Sequence, residues 1–405
     1  MESKWRKVPI KEVYSGLFDG PHATPKPSDE GPVFLGIKNI TEDGHLDLSD
    51  VRHIAEEDFP RWTKRVQPQE DDIVFTYEAT LNLYALIPNG FRGCLGRRLA
   101  LVRPLPTRVV PRFLYYYFFG EEWRVTIATN IIQGATVDRI PLIRFPDFQI
   151  GLPSLPTQRK IAAVLSAYDD LIENNTRHIA ILEEMAQAVY REWFVNFCFP
   201  GHEKAKFVDS PLGKIPQGWE VVKLKELYRT TSGGTPSRKK PEFYENGTIN
   251  WLKTKELNDR FIWDTEEKIT DMGLAGSSAK VLPKRTVVMA MYGATIGKLG
   301  ILAADSSMNQ ACCAFLTNES DYGYIYLFLY LLHNRSDIIS LRAGAAQQNV
   351  SQDIIREIDV LKPRLEIVER FGPSTTQRIM TRLPQSWGRQ SVPCMAGRGF
   401  SATTS

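Results

Sequence analysis

The chain repeats itself, and that repetition constrains its fold more than any other feature. Trp5, ahead of Val8 and Ile10, is matched by Trp219, ahead of Val221, Val222 and Leu224. Ala23-Thr24-Pro25 is echoed by Gly234-Thr235-Pro236, and the strand-like run Val33 to Lys38 by Ile249 to Lys253. Phe75-Thr76-Tyr77-Glu78-Ala79-Thr80 resembles Ala290-Met291-Tyr292-Gly293-Ala294-Thr295, and the aromatic run Pro111 to Arg124 resembles Tyr322 to Arg335. The offsets fall between about 211 and 215 residues. One shared pair carries little weight, whereas five in the same order at a nearly constant offset indicate a duplicated domain. The 405 residues suit two such domains of ~150 residues plus a connector. Each copy mixes alternating β-type stretches, such as Ile73 to Phe75 and Thr286 to Met291, with an aromatic-rich helix. The expected fold is α+β: two similar α/β domains whose clustered Tyr and Phe residues form core.

Between the copies, residues 156 to 197 contain no Gly or Pro after Pro156. Pro156 suits a first helical turn, Ser154 or Thr157 can cap it, and Pro200-Gly201 ends it. Ile161, Val164, Leu165, Tyr168, Leu171, Ile172, Ile179, Leu182, Ala186, Val189 and Trp193 recur at helical spacing. This reads as a long coiled-coil-like helix, with Asn175 and His178 as polar interruptions that can fix register. At 1.5 Å per residue it spans roughly 60 Å. Its apolar stripe needs a cover, either its own domains or a partner. Length favours a docking rod, with Ile161, Leu165, Tyr168, Ile172, Ile179, Leu182 and Trp193 as the docking residues.

Net charge is +3, so any contact with nucleic acid must come from local patches. The five cysteines form no C-x-x-C pair and read as reduced thiols of a cytoplasmic protein. The N-terminus lacks the apolar core of a signal peptide, and the longest apolar run, Ile325 to Leu332, is too short for a membrane span.

Catalytic motifs are missing together. Gly293-Ala294-Thr295-Ile296-Gly297-Lys298 is one residue short of a phosphate loop, and Leu299 stands where Ser or Thr would hold magnesium. Gly90, Gly93 and Gly96 lack dinucleotide spacing, and His and Cys do not cluster as zinc ligands. Asp259 with Glu266-Glu267-Lys268 is a weak candidate for a nuclease metal site, since acids and lysines are common in surface turns.

With the repeat and the helix in hand, the chain resembles the specificity subunit of type I restriction–modification systems. The likeness rests on Leu155-Pro156-Thr157-Gln158-Arg159-Lys160-Ile161, followed by Leu165, Asp169, Ile172, Asn175, Ile179, Leu182-Glu183, Met185-Ala186 and Glu192-Trp193-Phe194. It rests also on Gly213-Lys214-Ile215-Pro216, Gly218-Trp219, Gly233-Gly234-Thr235-Pro236 and Ile249-Asn250-Trp251, and it covers residues 5 to 370. The resemblance implies two target recognition domains, each reading one half of a split double-stranded DNA sequence. It implies helices that bind two modification (methyltransferase) subunits, and restriction subunits that translocate and cleave. It implies a chain without catalysis or cofactor of its own. S-adenosylmethionine, ATP and Mg2+ would sit on the partner subunits, which methylate adenine.

On this reading residues 1–152 are the first recognition domain, 153–200 the spacer helix, 201–216 a linker and 217–365 the second recognition domain. Residues 366–405 depart from the family, which carries a second long helix there. From Gly372 onward the 34 residues hold four Arg and three Pro but no Lys, Asp or Glu. A disordered tail is the expectation, with function impaired by the altered C-terminus, and a frameshift or truncation would explain the change.

DNA contacts call for Lys and Arg at phosphates and for Arg, Lys, Asn, Gln, Ser and Thr at bases. The candidates in the first domain are His22, Thr24, Lys26, Lys38, Tyr77, Thr80 and Thr136, with Arg61-Trp62-Thr63-Lys64-Arg65 as a phosphate patch. In the second they are Thr235, Ser237, Arg238, Lys239, Lys240, Lys253, Lys255, Tyr292, Gln347, Gln348 and Asn349. Three other readings stay open: service to an orphan methyltransferase, an enzyme with an unfamiliar site, and a protein-binding scaffold.

Overall fold

The computed structural model describes residues 5–134, 137–317, 320–341 and 349–380. The chain divides into two compact units, Met1–Asn175 and Thr176–Ser405.

In the first unit the order is β1 (Arg6–Pro9), β2 (Tyr14–Asp19), β3 (Ser28–Leu35), β4 (Arg52–His53), α1 (Phe59–Trp62), β5 (Ile73–Thr76), β6 (Tyr84–Leu86), β7 (Gly93–Leu95), β8 (Leu99–Pro104), α2 (Pro111–Tyr117), α3 (Glu121–Asn130) and β9 (Gln149–Leu152). The helix α4 (Leu155–Tyr190) then runs on into the second unit and ends in a π turn at Arg191–Val195. The second unit continues with β10 (Phe207–Ser210), β11 (Gly213–Pro216), β12 (Glu220–Lys223), α5 (Leu224–Leu227), β13 (Thr230–Ser232), β14 (Ile249–Leu252), β15 (Arg260–Ile262), β16 (Lys268–Ile269) and α6 (Asp271–Ala275). It closes with β17 (Val287–Ala290), β18 (Leu299–Leu302), β19 (Ser307–Met308), β20 (Cys312–Phe315), α7 (Gly323–His333), α8 (Arg335–Ser340), α9 (Gln352–Arg356), β21 (Asp359–Lys362) and α10 (Leu365–Met380).

The duplication is visible strand by strand. The first unit has sheets of order β2-β8-β5-β6 and β4-β3-β7, plus the β1-β9 pair; the second has β13-β20-β17-β18-β15 and β16-β14-β19, plus β12-β21. The added edge strand β15 distinguishes the second copy. The pairing types agree as well: β3 runs parallel to β7 with Leu35 beside Leu95, and β14 parallel to β19 with Leu252 beside Met308.

The central strands are buried on both faces, so the alternation expected in them is not inside against outside. Ile73 and Phe75 join the aromatic core under α2 and α3, while Val74 joins a smaller core with Leu35, Leu95 and Leu101. Val287 and Met289 likewise face the large core of the second unit, and Val288 and Ala290 a second one. A strand filling two cores is apolar throughout. The aromatic runs are core, as read: Phe113, Leu114, Phe118 and Trp123 are buried in one unit, and Tyr326, Leu327 and Leu331 in the other. Buried tyrosines spend their hydroxyls on the neighbouring terminal strand. Tyr117 accepts from the Gly151 amide at 2.8 Å, and Tyr326 donates to the Leu361 carbonyl at 2.8 Å.

The tail needs correction. Leu365 opens α10 where Leu155 opens α4, each just after its terminal strand. The backbone stays helical through Gly372 and Pro373 to Met380. Val368 and Phe371 bury the first turns, so propagation, not costly nucleation, carries the helix past the breakers. Composition averaged to the C-terminus hid this short stretch. Residues 381–405 lie outside the described residues.

Candidate nucleic-acid interface

In each unit several of the loops that carry candidate residues converge at one end of its central sheet, and backbone hydrogen bonds hold them together. In the first unit the Gly20 amide donates to Leu99 at 2.9 Å, Tyr77 to Arg98 at 3.1 Å, Ala79 to Asp138 at 3.1 Å and Ile140 to Tyr77 at 2.8 Å. In the second, Gly234 donates to Met308 at 3.0 Å, Met291 to Ala311 at 2.9 Å and Val350 to Met291 at 3.2 Å. Four segments thus meet in each unit: the exit of β2 or β13, the turn after β5 or β17, the turn before β8 or β20, and the segment ending at Ile140 or Val350. The approach is close. A Cβ at Gly20 would collide with the Gly96 carbonyl oxygen, and one at Gly233 with the Met308 carbonyl oxygen.

This frame corrects the register of the repeat. Tyr77 is equivalent to Met291, not to Tyr292, and both are buried. Tyr77 therefore belongs to the core and cannot meet DNA; burial, with Glu78 and Asp19 nearby, pushes its phenol up to about 12. Tyr292 falls at the position of Glu78 and is 36% exposed. Lys38 matches Lys255, not Lys253, because each sits in a short turn closed by the next residue: Asn39 Oδ1 accepts from Gly36 N, and Glu256 Oε2 from Lys253 N.

In the second unit the loop after β13 is anchored from beneath. Trp251 Nε1 donates to the Gly234 carbonyl at 3.0 Å, and Tyr244 donates to the Pro236 carbonyl. Thr235 donates to Gln310. Arg238 lies over the rings of Tyr244 and Trp251 (4.3 and 5.2 Å) and holds Glu267 at 2.6 Å. Lys240 rests 4.9 Å from the centre of the Phe243 ring. Ser237 and Lys239 are exposed, and Lys239 has no ion-pair partner among the described residues. Lys253 departs from expectation. Its side chain is 16% exposed and bonds Glu267 at 2.7 Å, so it braces Arg238's partner from within. Partial burial opposes its charge, but Glu267 and Glu266 hold its ammonium above the ordinary range.

In the first unit Thr24 and Lys26, in the loop after β2, and Thr80, next to Ala79, are exposed. His22 and Arg65 both hold Asp19, at 3.1 and 2.5 Å, and Lys38 holds Asp50 at 2.5 Å. Trp62 leaves the phosphate patch, because it is buried edge-on against Phe34. Arg61 and Lys64 remain on the surface. Asn349 is described and half-buried, beside Val350; Thr136, Gln347 and Gln348 lie outside the described residues. Sequence reasoning missed Arg97, Arg98 and Arg139, which the same hydrogen bonds bring to this end. The Gly-Arg-Arg run ahead of an apolar strand was the available signal.

The acidic candidates are engaged by donors of the chain itself. Asp259 accepts from Arg335 and from the Leu299 amide, and Glu266 and Glu267 bond lysines and Arg238. Among the described residues no group of three or more His, Cys, Asp or Glu could bind an ion. Gly293–Thr295 is a turn between the antiparallel strands β17 and β18 and opens no helix, so it lacks the context of a phosphate loop.

Of the docking residues on α4, Leu165, Tyr168 and Ile172 are exposed, and Ile179 and Leu182 are intermediate. Ile161 and Trp193 are partly buried and pack against the cores of the first and second units, respectively. No described helix is long and apolar enough to cross a membrane.

The model of the type I restriction modification DNA specificity domain matches residues 3–184 and again 216–384. The specificity subunit of the type I restriction enzyme MjaIX from Methanocaldococcus jannaschii is 27% identical over 370 residues, covering 89% of this chain and 80% of its own length. That of HindI from Haemophilus influenzae is 22% identical, covering 84% and 86%. The crystal structure of a type I S subunit from M. genitalium shares the fold, with TM-score 0.55, 15% identity and coverage of 92% of this chain and 91% of that one. The chain belongs to the type I restriction–modification specificity subunits, the non-catalytic subunits that recognise the DNA target.

Proposed function

We propose that each unit reads one half of a split DNA target, and that α4 carries modification subunits which methylate adenine at the site so chosen. The observation that carries this reading is the same loop-bearing sheet end built twice in one chain, with different side chains at equivalent positions. Arg97, Arg98 and Arg139 in the first copy correspond in position to Gln310, Ala311 and Asn349 in the second. Equal frames with unequal edges suit two different half-sites. The exposed stripe Val164, Leu165, Tyr168, Leu171 and Ile172 supports a partner on α4, because a solvated helix face this apolar is a docking surface. S-adenosylmethionine, ATP and Mg2+ belong to the partner subunits, two modification subunits being the expected number, with restriction subunits joining them in the cytoplasm.

The test is methylation-sensitive sequencing of host DNA with and without this gene, after co-purification with the neighbouring methyltransferase. Adenine methylation at a split, asymmetric motif that vanishes on deletion is the expected result. Methylation that is unchanged, or confined to one uninterrupted motif, would sink the reading.

A further inference from the structure

We propose that Arg98 and Arg139 are base-reading residues of the first unit, and that the half-site bound there carries guanine where they reach it. The inference rests on the two-half-site reading above and adds the chemistry of one half. Arg98 and Arg139 are joined through one residue. The Arg98 carbonyl accepts from Tyr77 at 3.1 Å, and Ile140, the neighbour of Arg139, donates to the Tyr77 carbonyl at 2.8 Å. Glu78 and Arg139 also form a backbone bridge. Both arginines therefore stand on rigid backbone at the sheet end, with buried Tyr77 as the floor between them.

Several arginines of this unit are tied down by carboxylates of the same unit. Arg65 is held by Asp19, Arg92 by Glu56, Arg103 by Asp72 and Arg108 by Glu12. Among the described residues neither Arg98 nor Arg139 has a side-chain hydrogen bond or ion pair, and Arg139 is exposed. Exposed Arg139 and half-buried Arg98 thus carry guanidinium groups without an internal partner on backbone that stands where the loops converge. A guanidinium fork matches O6 and N7 of guanine in the major groove, the commonest specific arginine contact. The second unit places Ala311 and Asn349 at these positions. Alanine offers no hydrogen bond, and asparagine pairs with adenine. A guanine preference at these two positions is therefore a property of the first half alone. Arg98 has φ 73°, a left-handed conformation that costs a non-glycine residue energy and fixes the direction in which its side chain leaves the turn.

The experiment uses the full chain co-purified with its modification subunits, comparing wild type with Arg139→Lys and Arg98→Lys. Lysine keeps the charge and removes the fork. The expected wild-type motif has guanine in at least one half. Each variant should relax one guanine position in that half by roughly 10- to 100-fold in relative methylation, with the other half unchanged. Asn349→Arg should add a guanine preference to the opposite half. Lysine variants that leave the motif intact, while alanine variants weaken binding to all sequences and flatten its salt dependence, would make these residues phosphate contacts and overturn the proposal. A wild-type motif without guanine in either half would also overturn it, although the two-half-site reading would survive. No sequence preference in the wild type would remove both.

Discussion

The ring of Phe371 meets that of Phe194 edge-on, with centroids 5.0 Å and planes 86° apart. Phe371 is fully buried and also approaches the rings of Tyr190 and Trp193, at 6.4 and 5.7 Å. The start of α10 is thus core of the second unit, not an appended tail. Phe371→Ala should destabilise that unit by about 3–5 kcal/mol, the usual cost of emptying a buried aromatic site. A urea-unfolding midpoint equal to that of wild type would show α10 to be dispensable.

The shifted register separates two tyrosines that the sequence placed together. Tyr77→Ala should cost the first unit about 3 kcal/mol, because the ring is buried. Tyr292→Ala should cost less than about 0.5 kcal/mol, because Tyr292 lies on the surface of its turn. Thermal unfolding of the two variants checks the contrast, and equal losses would contradict the assignment.

Lys239 is exposed and unpaired among the described residues, whereas Lys240 is stacked on Phe243. Lys239→Ala should weaken binding to every DNA sequence alike and reduce the salt slope by about one counterion. Binding measured at several salt concentrations on target and scrambled duplexes reads this directly. A loss confined to the target would instead make Lys239 a base reader.

Much of this was legible in the sequence, for definable reasons. The duplication survived because apolar strands and aromatic helices must keep their order to fill the same cores. α4 was legible because helical periodicity is local. The register of the copies was not, since Tyr77 and Tyr292 look alike in a string, and only the bonds from Ile140 and Val350 show which residues align. Lys253 read as a surface cation because Glu267 is far from it in sequence terms, across the β14-β16 pair. Arg139 was missed because its loop reaches the site only through long-range pairing with Glu78.

Asp259 gives the second unit an acid limb. Burial alone would raise its carboxyl, but the Leu299 amide and the Arg335 guanidinium outweigh burial and hold it below the ordinary value of 3.8. The stabilisation is complete above that value and is lost as pH falls through the lowered native one. Stability of this unit should therefore decline below about pH 4. Asp259→Asn should lower stability at pH 7 by about 1–3 kcal/mol and make the decline shallower. Asparagine tolerates the φ of 60° at this position, so the backbone is not the variable. Equal acid sensitivity in both proteins would assign the limb to other carboxylates.

The exposed stripe on α4 separates folding from assembly. Leu165, Tyr168 and Ile172 are 37%, 62% and 46% exposed, whereas Ala162 in the turn before them is buried in the first core. If the stripe serves a partner, replacing these three by glutamine removes apolar contact area only in the complex. Glutamine is a good helix former, so α4 itself should persist. The unfolding midpoint of the isolated chain should move by less than about 0.5 kcal/mol per substitution. Co-purification with the modification subunit should fall sharply, since a helix-in-groove interface rests on a few apolar anchors. Trp193→Ala is the control, because its ring packs against the second core and its loss should unfold that unit before it affects docking. A triple variant that unfolds like the Trp193 variant would place the stripe in the fold; one that assembles normally would move the docking surface off this face of α4.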